Sequence, residues 1–222
     1  MTLPSPIHAI IFDMDGTLHD TESVYIAAMR HAVQAVGFSM SDAFAHALIG
    51  IPGLEGGAMI RAHMGDAFPF DEFDRHYRQR VQSALEQAVP VKAGAPELLA
   101  ALSGRGLGLA IATSARRESA EAHLRRSGLL DLVPVLVTRS DVPRGKPFPD
   151  VYLRAAELLG VPPASCLAVE DSFNGVRAAH AAGMMTVMVP DLVQPTDEIR
   201  ALCVRVVLGL DDVHAIIAEH AA

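Results

Sequence analysis

The chain contains no tryptophan, and aromatic residues make up only 5% of its 222 positions. Its core must therefore be aliphatic and alanine-rich. Cysteine is almost as scarce: Cys166 and Cys203 stand alone, with no Cys-x-x-Cys pair. This excludes a disulfide framework, and Cys166, inside the apolar run Cys166-Leu167-Ala168-Val169, reads as a small buried hydrophobe. The ten histidines form no compact metal-binding pattern. No apolar run approaches the ~18 residues of a membrane span. The start of the chain lacks the basic segment and apolar core of a signal peptide, so no membrane is expected and the reducing cytoplasm is the expected compartment. Positive charge is also in short supply, with 18 Lys and Arg against 26 Asp and Glu and a formal net charge of −8. Nucleic acid needs a basic stripe. The densest basic pairs, Arg116-Arg117 and Arg125-Arg126, read instead as an exposed helix face, and no nucleic-acid partner is expected.

The common nucleotide and acyl-transfer signatures are missing too. Gly145-Lys146 is followed by Pro147 rather than a hydroxyl residue, so no P-loop is present. Gly104, Gly106 and Gly108 precede a strand-like run instead of following one, which rules out a dinucleotide fingerprint. No Gly-x-Ser-x-Gly occurs.

What is present begins at the N-terminus. An apolar run from Ile7 to Phe12 ends in Asp13-Met14-Asp15-Gly16-Thr17. Residues i and i+2 of a strand share a face, so both carboxylates can look into one pocket at the strand's carboxyl end. Two close acids resist burial together. A divalent cation with a taste for oxygen ligands, such as Mg²⁺, would compensate them.

Residues 20–89 then read as helices with polar breaks: Thr21–Val36, Asp42–Leu48, Ala58–Met64 and Asp71–Gln87, with a glycine- and proline-rich loop over residues 49–57. From Pro90 onward, strands alternate with helices. Strands are expected at 107–114, 133–137, 165–169, 185–189 and 204–208. Helices are expected at 96–103, 118–127, 150–159, 174–182 and 212–220. The alternation predicts an α/β fold with a parallel sheet, interrupted by a helical insertion. The expected division is a core of residues 1–19 and 90–222 and a helical domain of 20–89.

Three further polar clusters stand where apolar runs end. Thr113-Ser114 close one predicted strand, and Glu170-Asp171-Ser172 close another. Between them lies Arg144-Gly-Lys-Pro-Phe-Pro-Asp150, where Lys146 is held between Gly145 and Pro147. A lysine on stiff backbone loses little entropy when it binds an anion. His19 lies near the acid pair and reads as an exposed loop residue. In a parallel sheet all the strand ends lie on one edge. That edge would hold acids, hydroxyls and one cation.

In this order the clusters resemble the four motifs of the haloacid dehalogenase superfamily, and most closely its beta-phosphoglucomutase-like phosphatases. The run Asn174-Gly175-Val176-Arg177-Ala178-Ala179 and then Ala182-Gly183-Met184 add to the likeness. The resemblance implies a Rossmann-like core with an inserted helical cap. It also implies Mg²⁺-dependent hydrolysis of a small-molecule phosphate ester through an aspartyl-phosphate. Asp13 would be the nucleophile and Asp15 the acid–base group. Thr113, Ser114 and Lys146 would hold the phosphoryl oxygens. Asp13, the backbone carbonyl of Asp15 and Asp171 would hold the metal, with Glu170 joining directly or through water. The second aspartate favours phosphate esters over the halides of the family's dehalogenases. A phosphosugar mutase is the alternative. The family's mutases use basic groups in the cap loop and a cap histidine, whereas residues 49–57 carry no cation and position 25 is Tyr25. A catalytically idle binding module on the same fold is a third reading. Residues 49–57 are expected to face the substrate's alcohol portion.

Overall fold

A computed structural model describes residues 3–48 and 53–220. The chain divides into two compact units, Met1–Asp20 with Pro90–Ala222, and Thr21–Val89. Among the described residues no helix is long and apolar enough to cross a membrane.

The first unit is built on six parallel strands: β1 (Ala9–Phe12), β2 (Gly108–Ala112), β3 (Val135–Val137), β4 (Cys166–Glu170), β5 (Met185–Met188) and β6 (Arg205–Val206). They lie in the order β3-β2-β1-β4-β5-β6. The chain moves outward from β1 to β3, then returns to place β4 on the other side of β1. This reversal opens a crevice at the carboxyl ends of β1 and β4, where open α/β sheets bind ligands. The register sets Phe12 level with Ile111 on one side and Val169 on the other. The acids after β1 and at the end of β4 therefore arrive at the same height.

The two faces of the sheet are packed differently. Ile10, Phe12, Leu109, Ile111, Leu167 and Val169 point to one face. There they meet the leucines of α5 (Ala95–Leu102), Leu124 of α6 (Arg117–Arg126), and Val213 and Ile217 of α10 (Leu210–His220). The alternate positions Ala9, Ala110, Ala112, Cys166 and Ala168 face the other way. They pack with Ala155 and Ala156 of α7 (Asp150–Leu159) and Ala178 and Ala179 of α8 (Phe173–Ala181). Small groups on both sides let backbone approach backbone, which is how a chain without tryptophan fills this layer densely.

The second unit is helical: α1 (Thr21–Ala35), α2 (Asp42–Ala47), α3 (Gly53–Met64) and α4 (Phe70–Gln87). It holds five of the chain's eight phenylalanines. Phe68 and Phe73 are buried in its core with Ala32, Val33 and Ile60. The loop expected over residues 49–57 needs correction in part. Residues 49–52 lie outside the described ones, but the chain is helical from Gly53 onward. Three glycines (Gly53, Gly56, Gly57) suggested a loop on propensity. Tertiary packing overrides that preference: Gly56 is buried, and a Cβ on Gly57 would come within 3.2 Å of the Phe70 ring. A further helix, α9 (Asp197–Leu202), was not anticipated, although Thr196 caps it by accepting from the Ile199 N–H at 3.3 Å.

His19 also differs from expectation. It is fully buried rather than exposed. Its Nε2 lies 2.9 Å from Ser127 Oγ, whose hydroxyl donates to Leu124 O at 3.1 Å. With that proton committed, Nε2 carries hydrogen and donates. Nδ1 is then a buried acceptor, and among the described residues it has no hydrogen-bond partner. Burial, helped by the neighbouring His123, pushes the His19 pKa down to about 4. The unfolded chain takes this proton near 6.5, so between those values the unfolded state binds more protons and stability falls as pH drops. Over the full window this one group accounts for on the order of 3 kcal/mol. Urea denaturation at pH 7 and pH 5 is expected to show wild-type protein losing about 2 kcal/mol more than His19→Gln. Equal losses would mean that His19 is protonated in the fold without penalty.

Candidate functional site

The site is assembled at the β1–β4 crevice. The backbone N–H of Asp13 donates to Val169 O at 2.9 Å, which extends the β1–β4 pairing up to the acid itself. The chain then turns tightly. Gly16 N–H donates to His19 O at 2.8 Å, and His19 N–H donates to Met14 O at 2.9 Å. Gly16 has φ +88°, and a Cβ there would fall 2.2 Å from Asp171 Oδ2. Both facts require glycine. Thr17 Oγ1 donates to Asp171 Oδ1 at 3.0 Å. The turn after β1 and the turn after β4 thus interlock through Asp171.

Lys146 reaches the same point from the segment between β3 and α7. That segment is braced along its length. Asp141 accepts from the Thr138 N–H and hydroxyl, both at 2.7 Å, and from Arg117 at 2.7 Å. Arg139 donates to Val142 O at 2.8 Å and to Pro143 O at 3.3 Å. Gly145 sits against that arginine, since a Cβ would lie 2.8 Å from Arg139 Cδ. The Lys146–Pro147 peptide is cis. The Lys146 side chain is buried, and its Nζ lies 2.5 Å from Asp13 Oδ1 and 2.5 Å from Glu170 Oε1.

Glu170 is fully buried. Its Oε1 also accepts from the Tyr152 hydroxyl at 2.7 Å. Its Oε2 accepts from the N–H groups of Asp171 and Ser172, each at 3.2 Å, and from Ser172 Oγ at 3.0 Å. Ser172 Oγ in turn accepts from Gly175 N–H and so caps α8. Carboxylate oxygens of Asp13, Glu170 and Asp171 lie within 4.8 Å of one another. Three carboxylates and one ammonium leave a formal charge of −2, and every donor is a hard oxygen. This set fits a divalent cation such as Mg²⁺.

The electrostatics agree with that need. Burial raises the Asp13 carboxyl well above its ordinary range; Lys146 opposes the rise, and Glu170 and Asp15 add to it. Burial, then Asp13 and Glu170, raise Asp171 likewise. Burial works against the Lys146 ammonium, but the Asp13 and Glu170 carboxylates outweigh it and hold its pKa above the usual lysine value.

Of the residues expected from the sequence, Asp13, Lys146 and Asp171 are brought together in this cluster, and Glu170 joins them. Thr113 is buried one strand away, after β2, where Oγ1 accepts from Ala115 N–H at 3.0 Å and its own proton stays available to another acceptor. Ser114 follows it and is exposed. Asp15 is half-buried; its carboxylate lies outside the three-acid group and acts electrostatically on His123. Tyr152 was not anticipated, and Gly175 was named only within the run that adds to the family likeness, with no role at the site. A tyrosine on a helix face otherwise made of aliphatic residues (Val151, Ala155, Ala156) was the available signal for the first.

Comparison with known proteins adds the following. Residues 7–183 match the family described as haloacid dehalogenase-like hydrolase. The phosphorylated carbohydrates phosphatase of Thermotoga maritima is 31% identical over 178 residues, covering 80% of this chain and 82% of that protein. Protein CbbY of Rhodobacter capsulatus is 35% identical over 83% of this chain and 86% of its own length. The crystal structure of a HAD family hydrolase from Deinococcus radiodurans R1, with bound phosphate and sodium, superposes with a TM-score of 0.84 at 28% identity and covers 97% of each chain.

Gly175 offers a test of the site's packing. Glycine to alanine inside a helix ordinarily stabilises by about 0.5–1 kcal/mol. Here a Cβ would sit 1.8–2.0 Å from the Glu170 carboxylate. Gly175→Ala is therefore expected to destabilise, by about 1–3 kcal/mol in urea denaturation. Gly209→Ala, where the added Cβ meets nothing within 4 Å, should shift stability by less than about 0.5 kcal/mol. A stabilised Gly175→Ala protein would mean that Glu170 moves aside freely.

Proposed function

The chain belongs to the haloacid dehalogenase-like hydrolase family, and from that premise we propose that it is a Mg²⁺-dependent phosphatase acting on a small phosphomonoester. The observation that carries this reading is the buried contact of Lys146 Nζ with Asp13 Oδ1 at 2.5 Å, within a three-carboxylate cluster at the sheet's switch point. An unsolvated carboxylate beside a fixed ammonium is a nucleophile set in a field that also attracts a phosphoryl group. Relatives named as phosphatases, including the carbohydrate phosphatase of Thermotoga maritima, point to phosphorylated small metabolites as the substrate class.

In this reading Asp13 attacks phosphorus and forms an aspartyl-phosphate as the ester P–O bond breaks. Asp15 gives its proton to the departing alkoxide. It then takes a proton from the water that cleaves the acyl phosphate, which returns Asp13 and releases inorganic phosphate. Lys146 and the hydroxyl proton of Thr113 stabilise charge on the phosphoryl oxygens, with Ser114 beside them. Asp13, Asp171 and the Asp15 backbone carbonyl would hold Mg²⁺, which when bound neutralises phosphoryl charge.

Hydrolysis of p-nitrophenyl phosphate is expected to vanish after metal stripping with EDTA and to return with Mg²⁺; full activity in excess chelator would sink the reading. Asp13→Asn should form no phosphoenzyme. Asp15→Asn should release one burst of p-nitrophenol, whose leaving group needs little acid help, and then stall as phosphoenzyme. Normal turnover in either variant contradicts the assigned roles. Lys146→Ala should lose roughly 10²–10³ in kcat, the scale of a single preorganised charge donor. A loss below about tenfold would reassign Lys146 to a structural part.

A further inference from the structure

Tyr152 lies outside the four motifs, yet it touches the centre of the site. It is fully buried on the alanine-lined face of the sheet. Its hydroxyl donates to Glu170 Oε1 at 2.7 Å, the same oxygen that accepts from Lys146 Nζ at 2.5 Å. The Lys146 ammonium also stands 5.0 Å from the centre of the Tyr152 ring. Lys146 and Tyr152 come from one stretch of chain, the braced segment and the first turn of α7. A single docking of that stretch therefore delivers both donors to Glu170.

Five donors converge on the Glu170 carboxylate: three on Oε2 and two on Oε1. Those on Oε2 come from the α8 N-terminus and its cap and fix the carboxylate's plane. The two on Oε1 compete for one oxygen. An oxygen shared with a hydroxyl pulls less strongly on the ammonium than one held by the ammonium alone. Lys146 has a second carboxylate to serve, Asp13, also at 2.5 Å. Its position between the two acids depends on how hard each one pulls.

We propose that Tyr152 is a positioning residue: its hydroxyl occupies part of Glu170 Oε1 and so keeps the Lys146 ammonium balanced toward Asp13 instead of captured by Glu170. The inference rests on the phosphatase reading above. Of the three acids Tyr152 hydrogen-bonds only Glu170, whose two oxygens are already taken by Lys146, Ser172 and backbone N–H groups. It bonds neither Asp13 nor Asp171, the carboxylates assigned to Mg²⁺, and its hydroxyl therefore acts on the lysine. Loss of the hydroxyl should therefore slow turnover and leave metal affinity alone.

The test compares wild type, Tyr152→Phe, Glu170→Gln and the double variant. Turnover of p-nitrophenyl phosphate is measured with Mg²⁺. Mn²⁺ binding to the metal-stripped proteins is measured from the electron paramagnetic resonance signal of the free ion. Tyr152→Phe keeps the ring and its packing. It is expected to lower kcat roughly tenfold to a hundredfold, the worth of a hydrogen bond to a charged group. KM should stay within about threefold, and the Mn²⁺ dissociation constant within about twofold, of wild type, since neither substrate nor metal is touched. Because Tyr152 acts through Glu170, removing its hydroxyl in the Glu170→Gln background should cost less than about threefold. Glu170→Gln alone removes the competing charge, so it should lose less kcat than Tyr152→Phe, under about tenfold.

Wild-type turnover in Tyr152→Phe would overturn the proposal. So would an equal loss in both backgrounds, a parallel loss of Mn²⁺ affinity, or a loss above about tenfold in Glu170→Gln. The last outcome can be read even if Tyr152→Phe folds poorly, because Glu170→Gln is compared with wild type alone. Wild-type protein that binds Mn²⁺ but hydrolyses no phosphate ester would remove the phosphatase reading, and the positioning role with it.

Discussion

The buried contact of Lys146 with Asp13 and Glu170 is the constraint around which the first unit is arranged. Three carboxylates and an ammonium withdrawn from water do not stabilise a fold. Desolvation costs several kcal/mol per ion, and a well-packed apolar set of the same volume is often as stable or more so. The cluster is tolerable because its charges are met by fixed partners. Glu170 alone takes donors from Tyr152, Lys146, Ser172 and two backbone N–H groups. Asp171 takes the Thr17 hydroxyl, and Asp13 takes the lysine. Among the described residues the residual charge of the acids remains unmet. Strongly raised carboxyl groups in a crevice of this kind mark a site kept for chemistry.

The packing of the sheet explains how such a cluster can be held rigidly. The face that carries α7 and α8 is lined by alanines, so these helices lie close against the strands. The acids and their donors are mounted directly at strand ends and helix starts rather than on long loops. Side chains set on regular elements keep their geometry better than side chains on mobile loops. The one long approach to the site, the segment that bears Lys146, is tied down by Thr138, Arg117, Asp141 and Arg139 before the lysine is reached. The result is a polar site with little freedom to reorganise, as charge stabilisation in a reaction requires.

Much of this was legible in the sequence, for a physical reason. A parallel strand buried on both faces must be apolar along its length, so the first polar residues after it announce its carboxyl end. Asp13, Thr113 and Glu170-Asp171 were visible in that way, and one sheet edge suffices to bring them together. Other features were not visible. His19 follows a turn sequence and reads as exposed; only the packing of Ser127 and its neighbours against it makes it a core residue. Gly53, Gly56 and Gly57 lower helix propensity, yet burial of Gly56 and the approach of Phe70 to Gly57 select a helix. Tyr152 stands out by type on its helix face, but nothing local names its partner, because Glu170 is eighteen positions away and meets it only through the fold. Periodicity reports which face a residue occupies. It does not report which polar atom waits there.

The glycines of the site show the same logic from the opposite side. A side chain on Gly16 would strike Asp171, and one on Gly175 would strike Glu170. In both places a missing Cβ lets an acid lie against backbone. For Glu170 the backbone in question is the start of α8, where unpaired N–H groups and the positive end of the helix dipole favour a negative charge. The acid therefore replaces lost water with the Asp171 and Ser172 N–H groups, and Ser172 satisfies the next turn by capping Gly175 N–H. Any larger residue at position 175 would push the carboxylate off these donors and leave Lys146 and the Tyr152 hydroxyl to hold it. The small residue, the helix start and the tyrosine hydroxyl thus serve one end: each limits how much of Glu170's charge falls on the lysine, and each leaves more of the ammonium for Asp13.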